Sequence, residues 1–114
     1  VTDPLLAEAC RDTLRAYTLL TQSPTRGRIE KWRRSFGYVH LCYVCLALGG
    51  GADAPDCRRC PLSLRRDRFG YSCTEAPTYI DLEKALTGGD PGKVRVAAVR
   101  RLIYLKERFE DAGT

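Results

Sequence analysis

Two cysteine pairs, Cys42-x2-Cys45 and Cys57-x2-Cys60, stand eleven residues apart and constrain this chain more than any other feature of its sequence. A two-residue gap lets both sulfurs of a pair reach one ion, and two such pairs complete a tetrahedral zinc site with zinc–sulfur distances of about 2.3 Å. Four protein ligands leave no open position for water, so a site of this kind is structural and not catalytic. Cys73 complicates the count. If the apolar stretch from Val39 to Leu48 turns Cys42 away, the set becomes Cys45, Cys57, Cys60 and Cys73. His40, the only histidine, ranks behind the thiolates. An iron–sulfur cluster is the alternative cofactor, since Pro61 follows Cys60 as proline follows the last ligand in ferredoxins, but that run packs its cysteines more densely. Disulfides would suit an exported chain. A redox Cys-x-x-Cys would want a strand-to-helix setting, which the sequence does not offer.

A chain of 114 residues makes one domain. It divides into N-terminal helices over 1–37, the cysteine-rich region over 38–75 and C-terminal helices over 76–114. With 44% apolar and 29% charged residues it has the composition of a folded domain. No segment approaches the roughly 20 apolar residues of a membrane span, and no basic leader precedes an apolar run. The chain therefore reads as soluble, unexported and cytoplasmic, where paired cysteines are metal ligands more often than disulfides.

Mainly helical architecture is expected. Asp3-Pro4, Ser23-Pro24 and Asp90-Pro91 each pair a capping side chain with a proline suited to the first helical position. From Pro4 to about Thr21, Leu6, Cys10, Leu14 and Tyr17 share one helical face, with Cys10 a small core thiol. A second helix is expected from Pro24 to Ser35, with Ile29, Trp32 and Phe36 inward and Gly37 as its stop. Val39 to Leu48 is read as a short helix that places Cys42 and Cys45 on one face, and 49–75 as loop. A fourth helix runs from Pro77 to Thr87, closed by Gly88 and Gly89. The last spans Pro91 to Glu110, with one stripe of Val94, Ala98, Leu102, Leu105 and Phe109 and a second of Val96, Val99 and Ile103. Arg100, Arg101, Glu107 and Arg108 lie opposite. So wide an apolar face suits a central core helix packed on two sides, and secondarily a homodimer or partner surface.

The net charge of +5 is concentrated where the cysteines are. Between residues 26 and 74, ten basic residues (Arg26, Arg28, Lys31, Arg33, Arg34, Arg58, Arg59, Arg65, Arg66 and Arg68) face four acidic ones. That coincidence is the main functional clue, because a basic patch draws phosphate or an acidic partner.

The run Cys42-Tyr43-Val44-Cys45, then Asp56-Cys57-Arg58-Arg59-Cys60-Pro61-Leu62, then Gly70-Tyr71-Ser72-Cys73-Thr74 and Tyr79 resembles a group of small cysteine-rich, zinc-binding-type proteins encoded by tailed bacteriophages. The likeness covers roughly residues 28 to 109, and includes the helix with Trp32 before the cysteines and the helical tail over 91–110. It implies a phage setting in a host cytoplasm and draws Cys73 into or next to the metal site. This chain departs from the group in its longer 49–56 loop and heavier arginine content.

Two functions follow as expectations. In the first, Arg28, Lys31, Arg34, Arg58, Arg59, Arg65, Arg66 and Arg68 neutralise phosphates of a nucleic acid while Tyr38, Tyr43, Phe69 or Tyr71 stack on bases. In the second, the same basic face docks on an acidic host protein, such as a nucleic-acid enzyme or defence complex. Catalysis is not expected: the lone histidine lies in an apolar stretch, and the Gly49-Gly50-Gly51 run lacks the lysine and hydroxyl of a phosphate loop.

Overall fold

In the computed structural model, the described residues are 4–22, 24–36, 41–47, 60–62, 73 and 76–111, with the side chains of 45, 46 and 111 not among them. They form five helices: α1 (Pro4–Leu20), α2 (Arg26–Ser35), α3 (Tyr43–Ala47), α4 (Pro77–Gly88) and α5 (Pro91–Asp111). Among the described residues there is no strand, so the protein is mainly α-helical. The Gly49–Glu75 loop expectation falls almost wholly outside the described residues.

The α1 stripe behaves as its spacing requires. Leu6, Cys10 and Tyr17 are buried and Leu14 is partly so. This face meets α5, α3 and α2, while α4 packs on α5. Buried residues from all these elements join one core. The second helix starts two residues later than expected. Thr25, not Ser23, is the N-cap: it adopts an extended backbone and its hydroxyl accepts the Arg28 N–H at 3.2 Å, satisfying an amide that would otherwise lack a partner.

Aromatic rings fix α2 on α1. Trp32 stands edge-on to Tyr17 at 5.1 Å between centroids and to Phe36 at 4.7 Å. Its indole N–H donates to the Ala16 carbonyl at 2.8 Å. Phe36 continues the row to Tyr43 of α3 at 4.6 Å. Edge-to-face pairs add about 0.5–1.5 kcal/mol each beyond the area they bury.

The third helix is shorter than expected, and Cys42 lies before it. Whether Cys42 and Cys45 share a face lies outside the described residues, since the side chain of Cys45 is not among them. The chain enters α3 through Leu41, which takes a left-handed backbone (φ 50°). The Tyr17 hydroxyl holds the Leu41 carbonyl at 3.1 Å. Helix α4 ends as its glycines direct, with Gly89 left-handed at φ 74°.

The two expected stripes of α5 separate. Val94, Ala98, Leu105 and Phe109 are buried, as expected. Val96, Val99 and Ile103 are 40–54% exposed, so this helix is not packed on both apolar sides. Arg101, assigned to the outer face by its charge, is 1% exposed and lies in the core. Its position explains this: residues 94, 98, 101, 105 and 109 recur at the 3.6-residue period on one face.

Candidate functional site

Of the cysteines expected at the metal, Cys42 (2% exposed), Cys60 (8%) and Cys73 (9%) enter the same core. The side chain of Cys45 and all of Cys57 lie outside the described residues. Among the described residues no group of three or more metal-binding side chains is assembled. Cys10, as its stripe implied, is a buried thiol on α1. Burial, and after it the neighbouring Cys42, pushes its pKa up to about 11, which keeps it neutral at ordinary pH.

Cys42 faces α1. Its sulfur lies 3.9 Å from the Thr13 hydroxyl. That hydroxyl already donates to the Ala9 carbonyl at 2.8 Å and accepts the Tyr43 N–H at 3.2 Å. The sulfur of Cys42 therefore packs against a hydroxyl already engaged with the backbone of both α1 and α3. Cys60 opens a turn whose next carbonyl, that of Pro61, accepts the Arg108 Nε–H at 3.2 Å. Cys73 lies just ahead of α4, and its carbonyl accepts the Ala76 N–H at 3.2 Å.

In the same core lies Arg101, which the sequence pattern assigned to the outer face. The Arg101 guanidinium donates to the Thr78 hydroxyl at 3.2 Å and lies over the rings of Tyr79 (5.5 Å) and Tyr104 (5.2 Å). Its Nε has no hydrogen-bond partner among the described residues, and no carboxylate there pairs with it. A buried charge left without an opposite one costs several kcal/mol. The nearby phenols do not supply the missing anion. Burial pushes Tyr17 well above its usual value despite the opposing pull of Arg101. Burial, then Glu83 and Cys73, pushes Tyr79 up to about 12. Both are neutral phenols at ordinary pH.

The basic face is described only on α2. Arg26, Arg28, Lys31 and Arg34 are exposed there, with Glu30 the one acidic residue of the helix, 3.6 Å from Arg34. Arg28 and Lys31 border a cleft of about 640 Å³ whose walls include Trp32, Tyr43, Leu19 and Leu20. Arg58, Arg59, Arg65, Arg66 and Arg68, and the candidate stacking residues Tyr38, Phe69 and Tyr71, lie outside the described residues.

No helix among the described residues is long and apolar enough to cross a membrane. Comparison of the chain with protein-family profiles, curated proteins and solved structures finds no match.

Proposed function

We propose that this is a zinc-stapled helical protein that acts by binding, and that it grips nucleic acid along the exposed face of α2. The observation that carries this reading is the α2 cleft. Arg28 and Lys31 stand at its rim without a carboxylate partner among the described residues, and Tyr43 offers a partly exposed ring beside them. Cations at the rim suit phosphates, and an aromatic ring suits a base taken from a single strand. Arginines 58, 59, 65, 66 and 68 would extend the same charge around the metal.

For the metal, the contact of Cys42 with Thr13 favours Cys45, Cys57, Cys60 and Cys73 over the double-pair set. Bound there, zinc would supply a cross-link between the 41–62 segment and the approach to α4, and no chemistry. The donor chemistry fits: thiolates suit zinc, and the core holds a cation with no counter-charge among the described residues.

Titrating the protein with single- and double-stranded oligonucleotides across a salt series tests the binding. Affinity should fall steeply with salt, and R28Q/K31Q should flatten the logarithmic slope by about 1.8 for duplexes and about 1.4 for single strands. Absence of binding at low salt would instead leave the acidic-protein partner. One observation favours such protein contacts: the exposed Val96, Val99 and Ile103 stripe of α5, the face expected for a homodimer. Concentration-dependent sedimentation abolished by I103K would place a second copy there.

A further inference from the structure

We infer that the cleft between α4 and α5, lined by Lys84, Lys93 and Arg100, is the second half of a binding surface for single-stranded nucleic acid that begins at the α2 cleft. The inference rests on the nucleic-acid reading above and narrows it to one kind of strand and one path.

Over residues 75–114 the charges cancel in number, seven basic against seven acidic, so the sequence gives no sign of a basic face there. Folding separates them. Lys84 from α4 and Lys93 and Arg100 from α5 line one cleft of about 590 Å³, all three exposed and none in an ion pair with a carboxylate among the described residues. Two carboxylates, Asp81 and Asp90, share its walls, and Asp90 is engaged at the start of α5, where it accepts the Gly92 N–H at 2.9 Å. The cleft stays net positive. Glu107 and Glu110 lie about two turns or more beyond Arg100 along α5 and do not line it. Ala85, Val96 and Ala97 add an apolar wall on which a sugar or base can rest while the cations take the phosphates.

This cleft and the α2 cleft are joined. Arg26 and Arg33, seven residues apart, share one flank of α2, whereas Arg28 and Lys31 stand on the other. Arg26 and Arg33 border a third cleft of about 230 Å³ that reaches Gly88 of α4, and Gly88 also lines the α4–α5 cleft. The Nε of Arg33 is buried and has no hydrogen-bond partner among the described residues. Glu30 is the one carboxylate of the third cleft, and it lies 3.6 Å from Arg34. Cations therefore continue from one flank of α2 to the other and on to α5. A path that enters three grooves and crosses a helix between the first two suits a flexible strand. Duplex DNA, stiff over about 150 base pairs, would bridge such grooves without entering them.

The test measures binding of thymidine oligonucleotides of about 4 to 16 nucleotides across a salt series, for wild-type protein and for K93Q/R100Q. The shortest strand occupies the α2 cleft alone and the longest occupies both ends of the path. K93Q/R100Q should therefore bind the shortest as wild type does, and on the longest should flatten the logarithmic salt slope by about 1.4, two phosphate contacts at about 0.7 each. K84Q, which changes the same cleft from α4, should flatten it by about 0.7 on the longest strand. These side chains are exposed, so each variant should keep the wild-type helical circular dichroism. A slope unchanged by K93Q/R100Q at every length, beside a slope flattened by R28Q/K31Q, overturns the inference and leaves the α2 reading standing. Equal loss on the shortest and longest strands means two separate sites and overturns the continuous path. A duplex bound as tightly as the single strand, with the same loss in K93Q/R100Q, overturns the assignment to single strands. Wild-type protein that binds no oligonucleotide at low salt overturns the α2 reading itself, and this inference with it.

Discussion

Tyr17 shows how much a single side chain settles in this molecule. It is fully buried, its ring packs against Trp32, and its hydroxyl holds the carbonyl of a left-handed Leu41. Without that hydrogen bond the chain would have less reason to turn where Cys42 enters the core. Y17F keeps the ring and leaves the buried carbonyl unsatisfied, so it should cost roughly 1–3 kcal/mol in urea unfolding. Its effect should exceed that of Y43F, whose hydroxyl makes only a long 3.5 Å contact with Ser35. The buried phenols also set an alkaline limit. Unfolded tyrosine gives up its proton near 10, whereas folded Tyr79 holds it to about 12 and Tyr17 holds it beyond its usual value as well. The native state then binds more protons than the unfolded one, so this contribution is fully present below about pH 10 and is lost as pH rises toward 12. Phenolate absorbance should show Tyr17 and Tyr79 ionising late, together with loss of helical circular dichroism. Absence of any late-ionising phenol would contradict the shielding of these two.

At the scale of elements, the helices were legible because their starts and stops rest on local chemistry. Proline at Pro4, Pro77 and Pro91 opens α1, α4 and α5, and Gly89 closes α4 in the left-handed conformation that glycine adopts without strain. A Cβ at Gly89 would meet no atom within 4 Å. G89A should therefore cost about 1 kcal/mol, all of it conformational, measurable as a modest fall in melting temperature with oligonucleotide binding unchanged. What the sequence hid was position within a face. Residue type placed Arg101 outside and Val96, Val99 and Ile103 inside, yet the helical period places 101 between 98 and 105 on the buried stripe. The same period was available in the sequence, and only the charge argued against it. Thr25 and not Ser23 caps α2, because the helix begins at Arg26, and two hydroxyl residues so close together do not rank themselves by local pattern. The packing of Cys42 against Thr13, twenty-nine residues away, was not legible at all, because it is a long-range contact that no local pattern encodes.

For the molecule as a whole, the central issue is how a core built by α1, α4 and α5 accepts the cysteine-rich segment between them. Cys42, Cys60, Leu62 and Cys73 all enter that core, so the segment is anchored at several points and not merely looped over it. Hydrophobic burial alone favours these anchors, but it does not specify which sulfur meets which. A metal held by thiolates from both ends of the segment would do so, because its binding energy appears only when all four converge. The cysteines should then separate into two classes. Cys60→Ser and Cys73→Ser should lose stoichiometric zinc and melt at markedly lower temperature. Cys42→Ser, replacing a thiol that already faces a hydroxyl, should keep zinc and lose only packing stability, and Cys10→Ser should do likewise. Metal content by elemental analysis, beside thermal melts of each variant, measures both quantities. If Cys42→Ser loses the metal and Cys73→Ser retains it, the double-pair set holds the ion and the α1 contact of Cys42 is compatible with ligation. Iron in place of zinc in the wild-type protein would replace the structural cross-link with a redox cluster on the same thiolates.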